Sequence, residues 1–278
     1  MTVPEVIQLR ELPYSLIDGA KEDIAPFVVG FCRIEVTRKE RYPVLLGSGT
    51  LIKAGDRRAI LTAEHVIREL PKEGRLGLLL EPTRHESTID LNGVSYLAVA
   101  RGKVDADGPD LGAVLLSPSI ADAIAAKKRF YDLDRYRERL LNTPPDRDIG
   151  FWFVNGFPAS DTIRERDDEG PGDVMRFHNL SGAGGPDEPV LRGEHDYYRF
   201  PVTNRDGAPE SFGGMSGGGF WQVPISRDAS GKLIHRTPLL SGVVYYQIHT
   251  RDELALLCHG RRSVYEIAYN AISEGRIP

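Results

Sequence analysis

Apolar positions in the first third of the chain fall into short runs, not long helical periods. APFVVGFCRIEV (25–36), PVLLGSGTLI (43–52) and RRAIL (57–61) are rich in β-branched and aromatic residues. Turn material at Lys39-Glu40-Arg41 and Ala54-Gly55-Asp56 separates them, so short antiparallel strands are predicted. Further strands are expected at RLGLLL, around VSYLAVAR and at DLGAVLLS, each bounded by Gly, Pro, Asn or Asp. Ser117-Pro118 then opens a helix, with serine as N-cap and proline in the first helical position, extending towards Leu141. After Pro144-Pro145 strands return in IGFWFVNGFP, around HDYYRFPVT, in GGGFWQVPI and in PLLSGVVYYQI. The polar stretch between Ser160 and Gly193 is expected as long loops or an excursion. At the end the period changes: Val264, Ile267, Ala268, Ala271 and Ile272 recur at i, i+3, i+4, i+7 and i+8, Ser263 and Glu266 form a capping box, and Gly275 supplies a stop. An amphipathic helix docking on its own domain follows. The chain shows neither a βαβ rhythm nor an internal repeat.

Composition narrows the function classes. The 278 residues suffice for one large domain or two smaller ones, and 41% hydrophobic with 27% charged residues is ordinary for a globular protein. No uncharged run is long enough to span a bilayer. A net charge of −5 gives no general attraction to nucleic acid, and Arg261-Arg262, too short for such a role, is expected to sit solvated before the last helix. The opening MTVPEVIQLRELPYSL lacks the pattern of a secretory signal, and Cys32 and Cys258, far apart, suit a reducing compartment. A cytoplasmic location is expected, with no membrane and no nucleic-acid partner. The seven histidines include no His-Glu-x-x-His pair, Cys258-His259 stands alone, and GSGTLI lacks the third glycine of a dinucleotide fingerprint, so neither metal nor cofactor is expected.

Three places carry candidate chemistry. In FGGMSGGG (212–219) a single serine, Ser216, sits among five glycines. By itself this is linker composition; it is also what a nucleophile beside bare backbone N–H groups requires. In LTAEHV an apolar strand ends and His65 follows on a short helical turn. In DGPDLGAV Asp110 leads directly into an apolar strand. Each alone is unremarkable: a structural histidine and a turn aspartate are common.

The order His65, Asp110, Ser216, with GSGTLI before the histidine and GMSGG around the serine, resembles the chymotrypsin-fold serine proteases, specifically small bacterial trypsin-like peptidase domains. The resemblance implies an all-β fold: a chymotrypsin-like double antiparallel β-barrel with an inter-barrel helical segment and a C-terminal helix. It divides the chain into an N-terminal extension (1–23), a first barrel with the helical connection (24–143) and a second barrel with the terminal helix (144–278). It implies a serine endopeptidase acting on a restricted protein or peptide substrate, with a regulatory protein as a further partner. His65 would be general base and then acid, Asp110 its orienting carboxylate, Ser216 the nucleophile, and the N–H groups of Gly214 and Ser216 the oxyanion hole. The strand SGVVYYQ (241–247) resembles the border of the substrate cleft, naming Tyr245, Tyr246 and Gln247. Glu210 falls where trypsin-like enzymes keep an acid at the pocket floor, implying a preference for Arg or Lys. NGFP (155–158) resembles a short segment of the second barrel in bacterial relatives.

Departures are visible too. Glu64, where the family keeps a small residue, either tunes His65 or points outward. Met215 replaces the acid that pairs with a newly cut amino terminus, so the loop must be ordered in another way. Asp105 and Asp107 compete with Asp110, which is preferred because it abuts the apolar run. A catalytically inert, partner-binding domain is the alternative. Gly214-Met215-Ser216-Gly217-Gly218 also fits the nucleophile elbow of α/β-hydrolase esterases, with Asp252 and His259 as acid and base, but strands do not alternate with helices as that fold needs.

Overall fold

Most of the expected strands are apolar on consecutive positions, and the folded chain covers both of their faces. In Phe151–Gly156, Gly219–Val223 and Leu254–His259 every residue is buried. The computed structural model describes residues 11–36, 41–80, 87–103, 105–166, 173–177, 179–202, 209, 211–251 and 253–275.

The chain opens with helix α1 (Tyr14–Ile24), which buries Leu16, Ala20 and Ile24. Strands β1 (Val28–Val36), β2 (Arg41–Ala54) and β3 (Arg57–Thr62) follow, then helix α2 (Glu64–Glu69) and strands β4 (Arg75–Leu79), β5 (Ser87–Asp90), β6 (Val94–Ala100) and β7 (Leu111–Leu116). Helix α3 (Pro118–Ala125), the short strand β8 (Tyr131–Asp132) and helix α4 (Leu133–Asn142) connect to the second half. That half holds β9 (Phe151–Gly156), β10 (Ile163–Arg166), β11 (Asp173–Arg176), β12 (Leu180–Gly184), β13 (Val190–Arg192), β14 (His195–Pro201), β15 (Gly219–Val223), β16 (Ile225–Arg227), β17 (Leu233–His235), β18 (Leu239–His249) and β19 (Leu254–His259). A π-helical turn (Ser263–Ala268) runs into helix α5 (Tyr269–Ser273).

Two antiparallel sheets dominate. The first has the order β5-β4-β1-β2-β3-β7-β6, with β8 alongside β2; the second runs β12-β9-β15-β18-β19-β14-β13. The fold is mostly β, built on two antiparallel sheets with a helical segment between them, as expected. One apolar core joins the halves: Ile24, Ile52, Leu61 and Leu111 pack in the same cluster as Phe153, Trp221, Val243 and Tyr265. Among the described residues no helix is long and apolar enough to cross a membrane.

Four expectations change. The helix expected from Ser117 towards Leu141 is two helices, because Tyr131 leaves the helical path to pair with Ile52 and bury its ring against Trp221 and Tyr136, at centroid distances of 5.3 and 5.1 Å. The polar excursion contains the β10–β11 hairpin as well as β12 and β13. The capping box does not form: Ser263 Oγ bonds Asp196, and Glu266 pairs with Arg262 Nε at 3.0 Å. Gly275, at φ +61°, ends the helix as expected. Arg261 is not solvated but buried, donating to Gln222 and to Ser241 Oγ and lying over the Trp152 ring. Cys32 and Cys258 are separate buried thiols. Burial pushes Cys32 up to about 12.

Candidate active site

Strand register brings the first two candidate residues together. β3 pairs with β7 so that Thr62 lies opposite Gly112. His65, three positions beyond Thr62, and Asp110, two before Gly112, therefore emerge side by side from one end of the pair. Asp110 Oδ2 lies 2.5 Å from His65 Nδ1, and Asp110 Oδ1 accepts the His65 backbone N–H at 2.9 Å. The carboxylate is almost wholly buried, at 3% side-chain exposure, while the His65 side chain keeps 25%. A carboxylate on Nδ1 places the proton there and leaves Nε2 as the basic nitrogen. Asp105 and Asp107 are engaged elsewhere: Asp105 caps the Asp107 N–H at 2.9 Å, and Asp107 pairs with Arg192 on the surface.

The loop bearing Ser216 is ordered by the first sheet. Ser48, fully buried, anchors it through both main-chain and side-chain atoms: its N–H donates to Ser216 O at 2.9 Å and its Oγ donates to Gly214 O at 2.7 Å. The same Oγ accepts from Phe157 N at 2.8 Å, and Thr50 Oγ1 donates to Gly217 O at 3.2 Å. GSGTLI is thus the seat of the Ser216 loop, and NGFP forms the adjoining wall, with Ala159 N just beyond it donating to Gly213 O at 2.7 Å. Met215 is buried in an apolar cluster with Val154, Phe212 and Phe220, which replaces any charged anchor at that position.

Backbone conformation explains the glycines at two positions. Gly214 and Gly217 have φ of +93° and +90°. A Cβ on Gly217 would lie 2.0 Å from Ser48 O and 2.1 Å from Thr62 Oγ1, so a side chain there is excluded by both dihedral and space. Because the Gly213 carbonyl is engaged by Ala159, the Gly214 N–H of the same trans peptide points the other way. Among the described residues neither the Gly214 nor the Ser216 N–H has an acceptor.

Ser216 is partly exposed, and its Oγ makes a long contact of 3.4 Å to Tyr245 O. Among the described residues Ser216 and His65 share no hydrogen bond. The two segments are nevertheless neighbours, since a Cβ on Gly47 would lie 2.7 Å from Val66 Cγ1 and 3.4 Å from Ser216 O. Of the expected cleft residues, Tyr245 is buried with its hydroxyl on Ala106 O at 2.9 Å, so only its main chain faces Ser216. Gln247 braces the approach to the loop, accepting from Phe212 N at 2.7 Å; Tyr246 is half-buried beside it. Glu210 and the rival acid Asp252 lie outside the described residues. Glu64 turns away from His65 to Arg68 and Arg101, at 2.9 and 3.4 Å. It borders a cavity of about 530 Å³ whose lining, which includes Arg68, Lys72, Tyr96 and Arg101, contains neither His65 nor Ser216.

The residues sequence reasoning did not foresee here are Ser48, Thr50 and His259. The first two were visible only as part of a motif; what they hold becomes apparent once the halves are docked.

The fold and this cluster together define a β protein of two antiparallel sheets with a histidine–aspartate pair beside a glycine-bounded serine loop. No protein-family model matches the chain and no curated protein matches it. Among solved structures it is similar to a serine-to-alanine form of the HtrA-type protease AlgW with decapeptide, at 14% identity and a TM-score of 0.45, covering 96% of this chain and 68% of that one. It is also similar to AlgW with decapeptide, at 13% identity and a TM-score of 0.46, covering 95% and 68%.

Proposed function

We propose that the protein is a serine endopeptidase that cleaves peptide bonds through Ser216, His65 and Asp110. The observation that carries this reading is the doubly bonded His65–Asp110 pair, with its Nδ1 contact of 2.5 Å, on a segment neighbouring the Ser216 loop, where among the described residues the N–H groups of Gly214 and Ser216 have no acceptor. In the first step Ser216 Oγ attacks the carbonyl carbon while its proton passes to His65 Nε2, and the oxygen that becomes negative is received by the N–H groups of Gly214 and Ser216. Asp110 stabilises the imidazolium. Collapse of the tetrahedral species breaks the C–N bond, and the amine leaves with the proton from Nε2. Water then donates a proton to the same nitrogen and attacks the acyl carbon; the acyl–Oγ bond breaks, Oγ takes the proton back from Nε2, and the carboxylic acid leaves. The Ser216 contact with Tyr245 must give way to one with His65 on substrate binding, as catalytic hydrogen bonds commonly tighten in the substrate complex.

A peptide library incubated with the purified protein, with new termini identified by mass spectrometry, tests this. Cleavage that disappears in Ser216→Ala and His65→Ala is expected, with Arg or Lys on the acyl side where Glu210 serves as pocket acid. Cleavage that survives Ser216→Ala would reject the assignment, and no cleavage by any form favours an inert partner-binding domain.

A further inference from the structure

Directly behind the His65–Asp110 pair lies a second histidine. His259, the last residue of β19, is fully buried, and its Nε2 sits 3.2 Å from Asp110 N and 3.1 Å from Asp110 O. With the ring proton on Nδ1 it accepts the Asp110 N–H; with the proton on Nε2 it donates to the Asp110 carbonyl. Either tautomer grips the same residue. The ring is enclosed by Tyr245, Tyr197 and His195, at centroid distances of 4.8, 5.0 and 5.6 Å.

Connectivity gives this contact its meaning. Asp110 belongs to the first sheet and His259 to the second. The His259 main chain pairs with Val243 on β18, and the next residue, Val244, exchanges two hydrogen bonds with the nucleophile loop: Gly217 N to Val244 O at 2.7 Å and Val244 N to Gly218 O at 2.9 Å. A short path of hydrogen bonds, strand pairing and covalent links therefore runs from Asp110 through the His259 ring and across β19 and β18 to the peptides that follow Ser216. Among the described residues, the Asp110 carboxylate is otherwise bonded only by His65 itself. Its placement relative to Ser216 depends on its main chain.

Packing alone does not account for an imidazole here. Among the described residues His259 Nδ1 has no partner, and an orphaned buried polar atom is destabilising. A phenyl ring would fill the aromatic enclosure without that cost. Burial also holds the ring neutral, with its pKa down at about 3, so the contact with Asp110 keeps one charge state across the physiological range.

We propose that His259 is a positioning residue for the reaction: it fixes the Asp110 main chain, and with it His65, at a set distance from Ser216 across the two sheets. The proposal rests on the serine-hydrolase reading given above. Misplacing reacting groups by about 1 Å can cost on the order of 10²-fold in rate.

Two variants of the full chain test it. His259→Phe fills the enclosure and cannot bond Asp110; His259→Gln keeps a side-chain donor and acceptor. The readouts are the rate of Ser216 phosphonylation by a fluorophosphonate, with Ser216→Ala as blank, the kcat and KM for a cleaved peptide, and the low-field proton resonance of His65 Nδ1. Expected are a 10- to 100-fold slower phosphonylation and lower kcat at unchanged KM in His259→Phe, a broadened or shifted low-field resonance, and recovery to within about threefold in His259→Gln. Wild-type rates and an unchanged resonance in His259→Phe would overturn the proposal, as would equal losses in both variants that track lost thermal stability. If the wild type itself is never phosphonylated, the hydrolase reading fails separately. The resonance then decides the positioning role: lost in His259→Phe it supports that role, and unchanged it rejects it. Should His259→Phe not fold, His259→Met against His259→Gln carries the same comparison.

Discussion

Replacing Ser48 with alanine removes one oxygen from a position with no solvent access. That oxygen accepts from Phe157 N at 2.8 Å and donates to Gly214 O at 2.7 Å, so both groups lose their partner at once. The Ser48 main-chain contacts to Ser216 and Thr62 remain. Two main-chain groups orphaned at about 1–1.5 kcal/mol each give a destabilisation of about 2–3 kcal/mol. For a chain of 278 residues that lowers Tm by roughly 3–5 °C. The effect on chemistry is separable. Losing an oxyanion-hole donor outright costs about 10²–10³ in rate; with the Gly214 N–H in the role proposed for it, the surviving Ala159 bond to Gly213 O means that donor is loosened and not lost. A fall of roughly 10- to 100-fold in fluorophosphonate labelling rate is expected on those grounds. Thermal unfolding by circular dichroism, with labelling measured well below both midpoints, reads the two effects independently. A Ser48→Ala protein that melts with the wild type and labels at the wild-type rate refutes the claim that GSGTLI orders the nucleophile loop.

Other outcomes follow from the same geometry. Asp110→Asn keeps the shape but lets His65 take the wrong tautomer, so peptide hydrolysis should fall about 10³- to 10⁴-fold; steady-state kinetics with activity near wild type would exclude Asp110 as the orienting acid. Arg261→Met removes the donor from buried Gln222 Oε1 and one of the two bonds of Ser241 Oγ, which still donates to Leu239 O, and should cost about 1–3 kcal/mol, seen as a lower urea midpoint at constant m; a neutral change would mean Arg261 is not held as described. His259 is depressed from 6.5 to about 3 by burial, so between those values the unfolded chain takes up a proton that the folded one refuses. Stability supplied by the neutral ring is therefore present above about 6.5 and is lost as pH falls towards 3, at about 1.4 kcal/mol per pH unit. Burial holds His195 low as well, and it acts in the same direction. Urea unfolding from pH 4 to 7 should show a steeper acid loss in the wild type than in His259→Phe; parallel profiles would contradict this. The buried thiols of Cys32 and Cys258 should react with a disulfide reagent only on unfolding, and fast reaction of the native protein would show that the core opens readily.

Much of this site was legible because chemistry and strand ends coincide. His65 and Asp110 each border an apolar run, so the run that makes the strand also fixes where the polar group emerges. Gly214 and Gly217 were legible because no other residue tolerates their dihedrals. What stayed hidden depends on partners far along the chain. LALLCH has no alternation, since both of its faces are covered, and an unbroken apolar run does not distinguish strand from helix. With β19 unseen, His259 was visible only as a candidate base for a different fold. Tyr131 breaks a helical pattern for a place in the core that does not exist until Trp221 arrives. Arg261 looked solvated because its partners, Gln222 and Ser241, lie on two other strands. The same reasoning misplaced the Tyr245 ring, whose hydroxyl is committed to the loop that leads to Asp110.

Peptide hydrolysis as proposed requires Ser216 to be an activated nucleophile. Intact-mass analysis after fluorophosphonate treatment, with peptide mapping of the adduct, measures it most directly. One phosphonyl group per chain on Ser216, absent from Ser216→Ala and strongly slowed in His65→Ala, is the predicted result. A wild-type protein that stays unmodified at high probe concentration, or carries the adduct on another residue, contradicts it.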